Sequence, residues 1–165
     1  MMEKLEIETL VQFNFWANDR ILEACEQLPF EKLKQPITPD PGWGNLLGIL
    51  VHILDAEYGW RSVLQSRSSE EILQPDDFAD IAALRSRWEA ERSAWTAYVS
   101  SLSTDMINQS DGADPQHKLT VWQTIMHVVA HGVHHRSEAA AILTGLDQSP
   151  SELDFDVFLW ENPET

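Results

Sequence analysis

The sequence predicts an all-α protein, an antiparallel four-helix bundle. Two observations carry that prediction. Four long segments repeat apolar residues at the three- and four-residue steps of an amphipathic helix, and little of the chain alternates with the two-residue period of a strand. With 165 residues, 43% of them hydrophobic, the chain can bury a real core, and the expectation is one domain over residues 1–165.

The first helix is expected over residues 3–28, where Ile7, Leu10, Val11, Ile21, Leu22, Cys25 and Leu28 form one stripe. Pro29 stops it. Asn14 and Asn18 fall on the same stripe, so they are either hydrogen-bonded core residues or part of a polar site inside the bundle. Residues 29–44 carry Pro29, Pro36, Pro39 and Pro41 and read as a crossing loop. The second helix, 45–65, is apolar on two faces, which implies packing on two sides. His52 and Glu57 lie within it.

Residues 66–75 are polar, and Pro75-Asp76-Asp77 reads as a turn and helix start. The third helix, 77–102, sets Ile81, Leu84, Trp88, Trp95, Val99 and Leu102 against a charged, solvated face. Residues 103–118 read as loop, with Asp111-Gly112 placed to close a small hairpin. Thr120 and Gln123 match a capping box at the start of the fourth helix, which runs to about Thr144 with Gly145 as a left-handed cap. A short terminal helix is expected over 152–160.

Charge and composition exclude several functions. Acidic residues number 27 against 11 basic ones, a formal charge of −16. Such a surface repels phosphate backbones and anionic membranes, so no nucleic-acid and no membrane partner is expected. No apolar run reaches the length of a bilayer span, and the acidic N-terminus does not read as a signal peptide, so the expected location is cytoplasmic. The single cysteine, Cys25, allows no internal disulfide and reads as a packed core residue.

Histidines are the strongest chemical signal. Four of the six, His127, His131, His134 and His135, fall within nine residues of the fourth helix. Positions four apart on a helix lie nearly above one another, so His127, His131 and His135 form a line, while His134 points about 100° away. An i, i+4 pair can aim two imidazole nitrogens at one ion. His52, mid-helix among apolar neighbours, is the natural third donor. Spacing alone leaves open whether His131 pairs with His135 or with His127. Three imidazoles suit several divalent metals.

Three stretches carry a resemblance: Asn14-Phe-Trp-Ala-Asn18, Leu50-Val-His-Ile-Leu-Asp-Ala-Glu-Tyr-Gly-Trp60 and His127-Val-Val-Ala-His-Gly-Val-His-His-Arg136. With Gly145 and Asp154 trailing, their order and spacing resemble the DinB/YfiT-like family of metalloenzymes over nearly the whole chain. The resemblance implies up-down-down-up topology and a metal site of His52, His131 and His135, holding a divalent transition metal (zinc, nickel, iron or manganese). The family pattern has Asn before the first histidine of the pair and Gly-Gln after the arginine. This chain has Ala130 and Ser137-Glu138, which puts Glu138 where it could orient an imidazole or add a carboxylate ligand.

The resemblance further implies a metal-dependent S-transferase joining a low-molecular-weight thiol (bacillithiol, mycothiol or glutathione type) to an electrophilic small molecule. The alternatives are a metal-dependent hydrolase and a non-catalytic bundle that binds metal or a small ligand. A thiol that carries carboxylates would need local cations, for which Arg136, Arg61 and Arg20 are the candidates by position. A homodimer is the expected assembly, with Trp43, Trp88 and Trp160 as partly exposed residues.

Overall fold

The computed structural model describes residues 1–66, 72–112 and 119–164. Its helices are α1 (Lys4–Glu26), α2 (Phe30–Leu33), α3 (Leu46–Leu64), α4 (Ile81–Ser101), α5 (Thr104–Ile107), α6 (Val121–Gly145) and α7 (Phe155–Glu161). Among the described residues the only β pairing is two isolated bridges, Pro36 with Asn45 and Ser110 with Thr120. None of these helices is long and apolar enough to cross a membrane.

The four long helices close a ring. α6 packs on both α1 and α3, and α4 packs on the same two from the other side. Of the expected stripe, α1 buries Ile7, Val11, Ile21, Leu22 and Cys25, while Leu10 and Leu28 are half-buried. α3 is closed on both faces near its start, where Leu46, Leu47, Ile49, Leu50, Ile53 and Leu54 are all buried. Two large apolar clusters result, beside a smaller one of Phe13, Ala17, Val129 and Phe158. One joins these α3 residues to Ile21, Leu22, Leu84 and Leu143. The other joins Ile7, Val11, Phe15, Trp95, Val99 and Ile125. Along α1 and α6, a layer of buried polar side chains separates the two.

Several boundaries differ from the sequence reading, each for a local reason. The proline-rich crossing contains a helical turn, α2, which starts directly after Pro29, its extended N-cap residue, with the Lys32 amide donating to the Pro29 carbonyl at 2.8 Å. Pro75–Asp77 is a 3-10 turn, and α4 starts later because Asp80 caps it, its side chain accepting from the Ala83 amide at 2.8 Å. Thr104–Ile107, expected as loop, is helical.

Gly145 is not the left-handed cap but the last helical residue. Asp147 takes the positive φ, with Gln148 N–H donating to the Leu143 carbonyl at 2.9 Å and Asp147 N–H to that of Thr144 at 3.1 Å. That is a Schellman closure two residues later than expected, with Asp tolerated in the left-handed region. The capping box at Thr120 is present, its amide donating to Gln123 at 2.9 Å. A single bridge closes the base of the 110–120 loop; residues 113–118, His117 among them, lie outside the described residues.

Candidate metal centre

α6 presents His127, His131 and His135 along one side, and α3 packs against it with His52. The result is a three-imidazole cluster. One ring nitrogen from each of His52, His131 and His135 lies within 4.8 Å of the other two. His52 Nε2 and His131 Nε2 face each other at 3.0 Å. The rings meet edge to face, His52 to His135 at 4.6 Å and His131 to His135 at 4.4 Å between centroids.

The alternative left by the spacing is resolved geometrically. His127 turns its ring against Trp60, centroids 4.9 Å apart, and stays outside the cluster. His134 is exposed, with Nε2 3.4 Å from Glu138 Oε1. Glu138 does reach an imidazole: its Oε2 lies 2.7 Å from His135 Nδ1. A carboxylate there accepts from Nδ1–H and leaves Nε2 as the free lone pair, the usual second partner of a ligating histidine.

One contact that the sequence did not signal holds His52. The Trp43 indole stacks on it, centroids 3.5 Å apart and planes at 15°, and meets His135 edge-on at 5.7 Å. Trp43 is placed by a turn wrapped around one carboxylate. Asp40 Oδ1 accepts from the amides of Gly42 at 2.8 Å, Trp43 at 3.0 Å and Gly44 at 2.9 Å. The bonds from Gly42, Gly44 and Trp43 hold the Asp40 carboxyl below its ordinary range. Gly42 and Gly44 have φ of 115° and 75°, which only glycine adopts without strain. The turn then presses onto α3 at Gly48, where a Cβ would stand 2.1 Å from the Trp43 carbonyl oxygen.

The electrostatics favour neutral imidazoles. Burial, with His135, His52 and His127 nearby, pushes His131 down to about 4. Burial and then His135 push His52 down as well. Neutral imidazole is the form that donates to a metal.

Beneath the cluster lies the polar layer. Glu57, on α3, is fully enclosed; its Oε1 accepts from Asn14 Nδ2 at 2.5 Å and Asn18 Nδ2 at 2.8 Å, and its Oε2 from Trp88 Nε1 at 2.8 Å. Arg136, next to His135, donates through Nη1 to Asn14 Oδ1 and Asn18 Oδ1, both at 2.7 Å. The two asparagines on the apolar stripe thus bridge a buried carboxylate to a buried guanidinium. Burial drives the Glu57 carboxyl up against these three donors, and it lowers Arg136 to about 10. Trp88, expected to be partly exposed, is buried because it serves Glu57; Trp43 is half-buried and Trp160 exposed.

The three candidate arginines all have partners within the chain. Arg136 is in this layer. Arg61 forms a two-point pair at 2.5 and 2.9 Å with Glu91, which sits on the buried face of α4 between Trp88 and Trp95. Arg20 binds Glu161 at 2.5 Å and lies over Trp16. Cys25 is buried, its thiol driven up to about 12 by burial, as a packed residue would be.

Fold and cluster together define an all-helical protein whose three histidines, from two facing helices, could hold a divalent metal ion. The chain belongs to the DinB family, whose model matches residues 1–165. It is 22% identical over 163 residues to Protein DinB of Bacillus subtilis (strain 168), covering 92% of each chain. It is 25% identical over 153 residues to Uncharacterized protein YizA of the same organism, covering 87% of this chain and 90% of that one. A crystal structure of a conserved protein from Enterococcus faecalis shares the fold, with TM-score 0.68 at 12% identity over 87% of this chain and 96% of its own.

Proposed function

We propose that His52, His131 and His135 bind one divalent transition metal, and that the protein is a metal-dependent enzyme built on a single up-down-down-up four-helix bundle. The observation that carries the reading is the convergence of three imidazole donors within 4.8 Å. Two nitrogens about 2.05 Å from one tetrahedral zinc stand roughly 3.3 Å apart. The 3.0 Å between His52 and His131 therefore needs to open by only a few tenths of an ångström. Three protein donors also leave coordination positions free, as catalytic sites do.

The chain's own residues do the positioning. Glu138 fixes the His135 tautomer, Trp43 holds the plane of His52, and the buried Asn14–Asn18–Arg136 layer anchors α6 at the level of the cluster. A bound divalent ion supplies Lewis acidity toward water or a thiol. Thiol S-transfer to an electrophile is the first reaction to screen, because a bound divalent ion can hold a thiolate ready for attack. Metal-dependent hydrolysis is the second.

Cobalt(II) titration tests both levels. One equivalent is expected to give the intense visible bands of a low-symmetry site, absent from His131→Ala. Adding a thiol is then expected to produce a sulfur-to-cobalt charge-transfer band in the near ultraviolet. A site that fills with cobalt but shows no such band leaves the metal reading standing and removes the thiol one.

A further inference from the structure

The 37–43 loop has two roles. Through Trp43 it stacks on His52, and through its earlier residues it forms one wall of an open cleft of about 520 Å³. The other wall is the last part of α6. That cleft is contiguous with the histidine cluster, because Glu138 belongs to both: it lines the cleft and hydrogen-bonds His135. The volume is in the range that small-molecule sites occupy.

Its chemistry is selective. Ile37, Pro39, Ala141 and Ile142 make the walls largely apolar, and the charged side chains that line it are Asp40 and Glu138. No lysine or arginine is among the described residues that line it. The chain as a whole carries −16. An anion entering here would meet two carboxylates, with no lysine or arginine among the described lining residues to neutralise it.

We propose that this cleft is the small-molecule site of the metal centre, and that it takes an apolar molecule bearing a positively charged amine group, directed at Asp40 and Glu138. That the cleft serves a metal centre rests on the proposed metal site; the charge preference rests on the cleft alone. A thiol with free carboxylates does not fit it, so in a two-substrate reaction the cleft holds the partner of the thiol.

The test uses three probes of equal chain length: hexylamine, hexanol and hexanoate. Binding is measured by titration calorimetry at physiological salt, on zinc-loaded protein and again after chelation. Zinc content is determined separately. Hexylamine is expected to bind at least about tenfold more tightly than hexanoate in both states, because the selecting groups belong to the chain. Ala141→Phe, a change at an exposed position that fills the cleft without touching a histidine, is expected to cost at least about tenfold in hexylamine affinity at unchanged zinc content. Hexanoate binding as tightly as hexylamine, saturable binding by none of the probes, or unchanged hexylamine affinity in Ala141→Phe would each overturn the proposal. Failure to load zinc counts against the metal reading instead, since the chelated series still decides the cleft's preference.

Discussion

Replacing Arg136 with methionine is expected to destabilise the protein by about 4 kcal/mol. The magnitude follows from what the guanidinium touches. Arg136 is 2% exposed, and its Nη1 is the donor shared by Asn14 Oδ1 and Asn18 Oδ1. Methionine fills much of the space but leaves both amide oxygens without that donor and Glu57 without its buried counter-charge. Breaking a buried charge pair from one side costs about 3–5 kcal/mol. Each abandoned acceptor alone costs about 1–3 kcal/mol, and the two do not add to the pair cost in full because all belong to one network. Arg136 Nη2 has no hydrogen-bond partner among the described residues, which lowers the worth of the native arrangement and keeps the estimate below the top of that range. Against a typical total stability of about 5–15 kcal/mol, the variant stays measurable. Urea unfolding at pH 7, followed by tryptophan fluorescence and far-ultraviolet circular dichroism, gives the value. Adding Glu57→Gln to the same chain should recover at least about 1 kcal/mol relative to the sum of the single changes. A loss below about 1 kcal/mol in Arg136→Met, or full additivity in the double variant, would refute the picture of one coupled buried layer.

Gly132→Ala is expected to cost about 1–3 kcal/mol in the same assay, because its Cβ would lie 2.5 Å from Arg136 Nη1 and 2.7 Å from Asn14 Oδ1. Glu138→Gln should weaken metal binding about 10- to 100-fold in a chelator competition, since the amide cannot hold the His135 tautomer as a carboxylate does. In metal-free protein, stability should fall as pH drops below about 6.5 toward 4. His131 titrates near 4 when folded and near 6.5 when unfolded, so the unfolded chain binds more protons in that window. Discounted for partial exposure, the loss between pH 7 and pH 5 is on the order of 1–2 kcal/mol; urea midpoints at the two values measure it, and His131→Gln should flatten the dependence.

Much of this was legible in the residues because it is local. Helical periodicity located α1, α3, α4 and α6 to within a few residues, and the i, i+4 spacing of His131 and His135 put two donors on one face before any fold was known. What escaped was set by long-range contact. His127 and His135 are equivalent by spacing; Trp60, from another helix, claims the first. Glu57 carried one signal, a lone acid on a helix apolar on two faces, yet its partners come from α1 and α4. Trp43 sits in a proline-rich crossing whose path depends on the Asp40 turn and on the absence of a side chain at Gly48, so no periodicity points to it. Glu91 lies on the apolar stripe of α4 between Trp88 and Trp95, a lone acid like Glu57, but its partner Arg61 comes from α3. The Gly145 cap failed for a similar reason: Asp147 can also take a positive φ, and residue type alone does not choose between them.

The central claim is that two helices bring three histidines together to hold one metal ion. Elemental analysis of protein purified without a histidine tag, beside His52→Ala and His131→Ala, tests it most directly. About one equivalent of a divalent transition metal per chain is expected in the wild type and less than about a tenth of that in either variant. A wild type that retains no metal after incubation with zinc, nickel, iron or manganese, or variants that retain as much as the wild type, would contradict it.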